Sequence, residues 1–313
     1  MNELVKDSTA RVSLDAAGLV SAFFAGKNAG TVNAYKKDLK NFAQFVNAAS
    51  LEEAAKLLLS SHQGQANAIV LSYQAHLSDL KLAPATINRR LSALKSLVKL
   101  AGVVGLCPFT LTVKNITVEP LRDTRGPGED GVKKLLASLS GKTDPKSLRD
   151  VAMIYLMYGQ ALRRGGVCSL NMEHIEGDGG AVWILGKGRK QRQRVTLHPR
   201  VSEALRKWKE VRGEASGSDP LFIALDPKAN GMRLAGDGLG RLLKKQGKKA
   251  GIVVRPHGLR HAAITRALDA MNGDLRKVRS YSRHKSLDML LIYDDARKDF
   301  AAEVADKVFG EEW

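Results

Sequence analysis

The feature that most limits what this chain can fold into is a break. Between Leu106 and Gly128 lie Pro108, Pro120 and Pro127, with Gly126 and Gly128 at the end. Proline cannot continue a helix, and glycine relaxes the backbone. With Leu111-Thr112-Val113-Lys114 extended in character between them, this stretch reads as an interdomain connection. The 313 residues therefore divide into a first domain (1–105), a linker (106–127) and a second domain (128–313), and each domain can bury its own core.

The first domain reads as helix throughout. Leu14, Leu19, Phe23 and Phe24 mark a short apolar-rich helix. From Thr31, apolar residues recur at Val32, Tyr35, Leu39, Phe42, Phe45 and Val46, the period of an amphipathic helix. Ser50 followed by Glu53 is a capping box that opens a helix through Leu59. Ile69, Val70, Tyr73, Leu77 and Leu80 mark another. Pro84 opens a long helix with Ile87, Leu91, Leu94 and Ala101 on one side and Arg89, Lys95 and Lys99 on the other. That second face could lie on phosphates or be merely solvated. No strand-like alternation appears, so a small helical bundle is expected.

The second domain is mixed. Asp130–Leu139 and Leu148–Leu162 read as helices, the second apolar enough to be buried. It delivers Arg163 at or just past its end, where a cation leaving a core needs either an anion or a structural partner. Ala181–Leu185 and Arg192–Leu197 flank a glycine-containing turn, giving a β-hairpin whose tip carries Lys187, Arg189 and Lys190. Val201–Val211 reads as an amphipathic helix. Leu239–Ala250 is a basic helix with Arg241, Lys244 and Lys245 suited to phosphate contact. Pro256 opens a helix on which His257 and Arg260 share a face, and a final helix follows over 299–308. The fold class is mainly α, with one small antiparallel sheet.

Charge narrows the function. Lys and Arg number 50 against 32 Asp and Glu, a net +18, most of it in the second domain. Nucleic acid is the commonest polyanion that such an excess serves. The two cysteines, Cys107 and Cys168, give neither zinc spacing nor a disulfide framework. No apolar run is long enough to span a bilayer, and no signal peptide is evident, so a soluble, intracellular protein with no membrane association is expected.

Ala161-Leu162-Arg163, Gly186-Lys187-Gly188, His257-Gly258-Leu259-Arg260-His261, Arg283-His284 and Ile292-Tyr293 occur in that order. This series resembles the tyrosine recombinase (phage integrase) family. Ala83 to Leu94 looks like the helical core-binding domain of the same family, and the second domain would be its catalytic domain.

The resemblance implies Tyr293 as nucleophile, forming a 3′-phosphotyrosyl bond to DNA. It implies Arg163 and Arg260 as a clamp on the scissile phosphate, and Lys187 as the acid for the departing 5′ oxygen. His257 would be the acid/base toward the tyrosine, and His284 a hydrogen-bond donor to the phosphate. No metal or other cofactor is required. The chemistry needs these types independently. A tyrosine of pKa about 10 needs a nearby base at neutral pH, and guanidinium forks match a pentavalent phosphorane.

The family also implies a tetramer on double-stranded DNA, its subunits tied by exchange of the C-terminal helix, in the cytoplasm. Type IB topoisomerases share the chemistry, but their small members have β-rich first domains, whereas this one reads helical. A DNA-binding protein with a decayed site is the remaining alternative. The chain departs from the family pattern at Gly166, where an acidic residue usually follows the first arginine by three positions.

Overall fold

The computed structural model describes residues 15–117, 126–177, 179–186, 189, 191–295 and 300–310. The chain divides into two compact units, residues 1–121 and 122–313.

The first unit is a helical bundle of α1 (Ala16–Phe24), α2 (Ala29–Phe45), α3 (Leu51–Ser60), α4 (Gln63–Asp79) and α5 (Pro84–Val103). Local signals set the ends. The Ser50 hydroxyl accepts from Glu53 N at 3.1 Å, and the Glu53 carboxylate reaches back to Ala49 N at 2.6 Å. Pro84 takes the first helical position of α5. The apolar faces meet in a core built on Leu19, Phe23, Phe42, Leu58, Tyr73, Leu91 and Leu94.

Part of the stretch that reads as a linker belongs to this core. Cys107, Phe109, Leu111 and Val113 are buried in alternation with exposed neighbours, so an extended strap lies on the bundle. It makes no sheet. Its backbone is met by side chains instead: Thr112 N donates to Asn67 at 2.9 Å, Lys114 O accepts from Gln74 at 3.1 Å, and Asn88 bonds both N and O of Ile116. Proline-rich composition alone does not tell such a strap from a free linker.

The second unit holds α6 (Gly128–Ala137), α7 (Pro145–Gly159), α8 (Arg164–Cys168), β1 (Ala181–Leu185), β2 (Arg192–Thr196), α9 (Pro199–Arg212), α10 (Gly236–Lys249), α11 (Pro256–Ala270), α12 (Leu275–Ser282), α13 (Asp288–Asp295) and α14 (Phe300–Phe309). β1 and β2 pair antiparallel from Ala181↔Thr196 to Leu185↔Arg192. Helices α7 and α9 pack the larger core through Met153, Leu156, Leu205 and Trp208. The Trp208 indole is satisfied by Leu221 O at 2.9 Å. A smaller cluster, Ala161, Ile264, Leu268, Val278, Leu290 and Tyr293, joins the end of α7 to α11, α12 and α13. The site forms at this second seam. No helix among the described residues is long and apolar enough to cross a membrane.

Candidate active site

The seam is made by the end of α7. A helix leaves its last carbonyls unpaired, and they carry the negative end of its dipole. Here the chain turns out of the helix through Ala161, which takes a left-handed φ of 47°. The carbonyls that the turn frees are filled from the opposite wall. Tyr158 O accepts from the Tyr281 hydroxyl at 2.9 Å. Gln160 O accepts from Arg283 Nη2, and Ala161 O accepts from Arg260 Nη1. Partial negative charge at one helix end thus anchors two guanidinium groups.

Arg163 follows at once, as the residue capping the start of α8. Its side chain has no hydrogen bond or ion pair among the described residues. Opposite it, α11 presents His257, Arg260 and His261 on successive turns. α12 ends in Ser282, Arg283 and His284, and α13 contributes Tyr293. With Arg163, all of these but Ser282 line one cleft of about 1080 Å³.

Arg260 is 1% exposed. Its Nη2 donates to Ser282 O at 2.6 Å and faces His284 Nε2 at 3.3 Å, while its buried Nε has no partner among the described residues. Since a guanidinium only donates, Nε2 is the lone-pair end of His284, and Nδ1–H is what meets the Ser282 hydroxyl at 2.9 Å. Burial pushes Arg260 down to about 9, with the charges of Arg163 and Arg283 adding to the shift. Burial also lowers Arg163. It takes His284 down to about 4, helped by Arg260 and Arg163, so the imidazole is neutral.

Tyr293 is 5% exposed. Its ring stacks on His261, with centroids 4.8 Å apart and planes at 28°, and His257 meets His261 edge-on at 4.1 Å. An aromatic hydroxyl beside imidazoles and guanidiniums is placed to attack an electrophile that the cations hold, with an imidazole near to take its proton.

The profile of the phage integrase family matches residues 128–299. A tyrosine recombinase of Synechococcus elongatus is 39% identical over 282 residues, covering 88% of each chain. The chain belongs to the phage integrase family. It is a tyrosine-type DNA strand transferase. The tyrosine recombinase XerC of Salmonella typhi is 30% identical over 261 residues, covering 79% of this chain and 81% of that one. A solved structure of the XerH site-specific recombinase, in a post-cleavage complex with palindromic difH substrate, has the same fold. Its TM-score is 0.66 at 18% identity, over 93% of this chain and 84% of that chain.

Within this integrase-family chain, Arg163, His257, Arg260, His284 and Tyr293 are brought to one cleft. Lys187 and Lys190 lie outside the described residues. Arg189, at the hairpin turn, lines the same cleft. Arg241, Lys244 and Lys245 are exposed on α10. The remaining basic residues behave differently. Arg89 is ion-paired with buried Asp38, and Lys95 donates to Asn115 at 2.9 Å, while Lys99 is exposed. The face of α5 is thus only in part a free basic surface.

His261 and Arg283 line the cleft and Ser282 holds His284 from behind it, and the sequence motifs assign none of the three a role. His261 was open to the sequence reading, since it stands four residues from His257 on one helix. Gly166 lines the cleft too, and a Cβ there would meet nothing within 4 Å.

Proposed function

We propose that this chain is a site-specific DNA recombinase that cleaves and rejoins double-stranded DNA through a 3′-phosphotyrosyl intermediate, in the integration, excision or resolution of a mobile element or replicon. The observation that carries this is Tyr293 sharing one cleft with Arg163 and Arg260, neither of which has a carboxylate partner among the described residues. A cleft built this way lacks an anion and holds a nucleophile.

The chemistry runs as an in-line displacement. The Tyr293 oxygen attacks the scissile phosphorus, the bond to the 5′ oxygen breaks, and a phosphotyrosine forms. His257 takes the phenolic proton and Lys187 gives one to the 5′ oxygen. Arg163 and Arg260 stabilise the charge on the non-bridging oxygens. A 5′ hydroxyl of the partner duplex then reverses the step. The phosphotyrosyl bond conserves the bond energy, so no nucleotide is consumed.

Before DNA binds, the Tyr293 ring rests on His261. His284 presents a lone pair to Arg260, and making Nε2 a donor to phosphate takes either a second proton or the other tautomer, in which the Ser282 hydroxyl donates to Nδ1. Arg241, Lys244 and Lys245 on α10, Arg189, Lys187 and Lys190 of the hairpin tip, and Lys95 and Lys99 of α5 supply phosphate contacts, whereas Arg89 is held by Asp38. The working form is a tetramer in the cytoplasm, on the nucleoid. Val304, Val308 and Phe309 are exposed on α14, the face with which it docks on a neighbouring subunit.

The test is covalent trapping on a library of nicked duplexes of randomised sequence. Wild type should leave a denaturant-resistant protein–DNA adduct whose sequence identifies the site, and Tyr293→Phe should leave none. Equal trapping by both proteins, or none by wild type, ends the reading.

A further inference from the structure

We infer that Arg283 is a third phosphate-binding guanidinium, set with Arg163 and Arg260 on the phosphate that Tyr293 attacks. The inference rests on the recombinase reading and goes beyond the clamp assigned above.

The backbone at Arg283 comes first. It sits at φ 59°, the left-handed region that glycine enters freely and a long side chain enters at a cost. The chain leaves α12 there in one residue, and glycine would do that more cheaply. Instead the position carries the most donor-rich side chain available. The turn itself does not call for an arginine, so the reason for one lies in what its side chain meets.

The hydrogen-bond inventory says what it is needed for. Arg260 is largely committed to the scaffold: Nη1 is on Ala161 O, and Nη2 is on Ser282 O and His284. Few of its five donors remain for a ligand. Arg283 is the reverse case. Nη2 is anchored on Gln160 O, and no other guanidinium nitrogen of Arg283 has a partner among the described residues. A cap on one carbonyl needs one donor, so the rest of the fork is left to the cleft that Arg283 lines.

A phosphorane in mid-reaction exposes two charged non-bridging oxygens, each able to accept more than one hydrogen bond. Arg163 is free to bind bidentately, and Arg283 supplies the donors that Arg260 lacks. Electrostatics agrees. Burial lowers Arg283 to about 10, and Arg163 pushes in the same direction. None of the three guanidiniums meets a carboxylate among the described residues. Three such cations around one cavity repel one another until an anion arrives.

Two variants test the assignment. Arg283→Gly removes the guanidinium but suits the backbone; Arg283→Lys keeps the charge without the fork. Adduct formation is measured on the duplex recovered from trapping, and thermal melting is measured with and without inorganic phosphate. In Arg283→Gly, adduct formation should fall about 10- to 100-fold. Its melting temperature in phosphate-free buffer should stay at or above that of wild type, and its stabilisation by phosphate should shrink by half or more. Arg283→Lys should lie between the two. An adduct rate equal to wild type in the glycine variant overturns the inference. So does a lowered melting temperature with an undiminished phosphate effect, because that marks a cap and nothing more. If wild type forms no adduct on any duplex, the recombinase reading is what fails. Phosphate-dependent melting then decides Arg283 alone, and equal shifts in wild type and glycine variant reject it.

Discussion

Arginines gather in two places in this protein, and the two clusters are built on opposite plans. In the first unit, Arg89 and Arg90 converge on Asp38, which is 3% exposed. Asn41 ties the group together by accepting from Arg90 and from the Tyr73 hydroxyl, at 2.8 Å for the latter. Burial pushes the Asp38 carboxyl up, and Arg89 and Arg90 pull it back. In the second unit, Arg163, Arg260 and Arg283 converge on helix-end carbonyls and on space, with no carboxylate among the described residues. The first cluster carries its counter-charge inside, so it is complete and structural. The second is incomplete until an anion enters. The presence of an internal acid, more than the number of cations, separates a strut from a binding site.

The largest expected effect lies in the second cluster. Arg163 makes no hydrogen bond among the described residues, so Arg163→Ala removes nothing that holds the fold. Adduct formation should drop roughly 100- to 1,000-fold, while the melting temperature should hold or rise as repulsion with Arg260 is relieved. Asp38→Ala should do the opposite. It leaves the partly buried Arg90 without its acid and should cost roughly 2 kcal/mol of stability. That is less than for a fully buried pair, because the Arg89 side chain is 44% exposed and can turn to water. The catalytic step on a saturating duplex should be unchanged below the new melting point. Urea unfolding read beside trapping kinetics checks both. If Arg163→Ala unfolds the protein and Asp38→Ala does not, the contrast is wrong.

A pH dependence sharpens the same contrast. His284 falls from 6.5 to about 4 because it is buried beside Arg260 and Arg163. Its folded-state value lies below its unfolded one. Between pH 4 and 6.5 the unfolded chain therefore binds the extra proton, and stability is lost as pH falls through that window. The loss should be on the order of 1–2 kcal/mol. His284→Gln, which can still bond Ser282 and Arg260, should flatten the melting profile over this range relative to wild type. Added phosphate should flatten it in wild type by screening the guanidiniums. A profile unchanged by both would mean that the second cluster does not govern His284.

What the sequence disclosed follows from how local each cause is. The bundle was legible because the helical period runs from Val32 to Ala101 and because Ser50 and Glu53 cap within one turn. The hairpin and the spaced motifs of the site were legible for the same reason. The strap at 107–116 was not, because its partners Asn67, Gln74 and Asn88 lie on helices far back in the chain. Arg89 reads as a basic surface residue until Asp38, 51 positions earlier, is brought beside it. Arg163, Arg260 and Tyr293 carry recognisable spacing, but their meeting depends on packing between α7 and α11–α13. Arg283 was least legible, since its role follows from a left-handed backbone and a carbonyl 123 positions away.

The smallest effect should come from giving the second cluster the acid that it lacks. Gly166 lines the cleft inside α8, not in a left-handed conformation, and a side chain there has open space before it. Gly166→Glu replaces a poor helix former with a good one and sets a negative charge in the first turn, both stabilising. Together they should contribute about 0.5–1 kcal/mol. The new carboxylate can also pair with a guanidinium of the cluster, and to that extent it competes with phosphate. The variant should therefore melt slightly higher than wild type in phosphate-free buffer, yet gain less from added phosphate, with an apparent affinity weaker by a few-fold. If phosphate stabilises it as much as wild type, an acid beside the cluster does not complete it, and the distinction drawn from Asp38 would not carry over to the cleft.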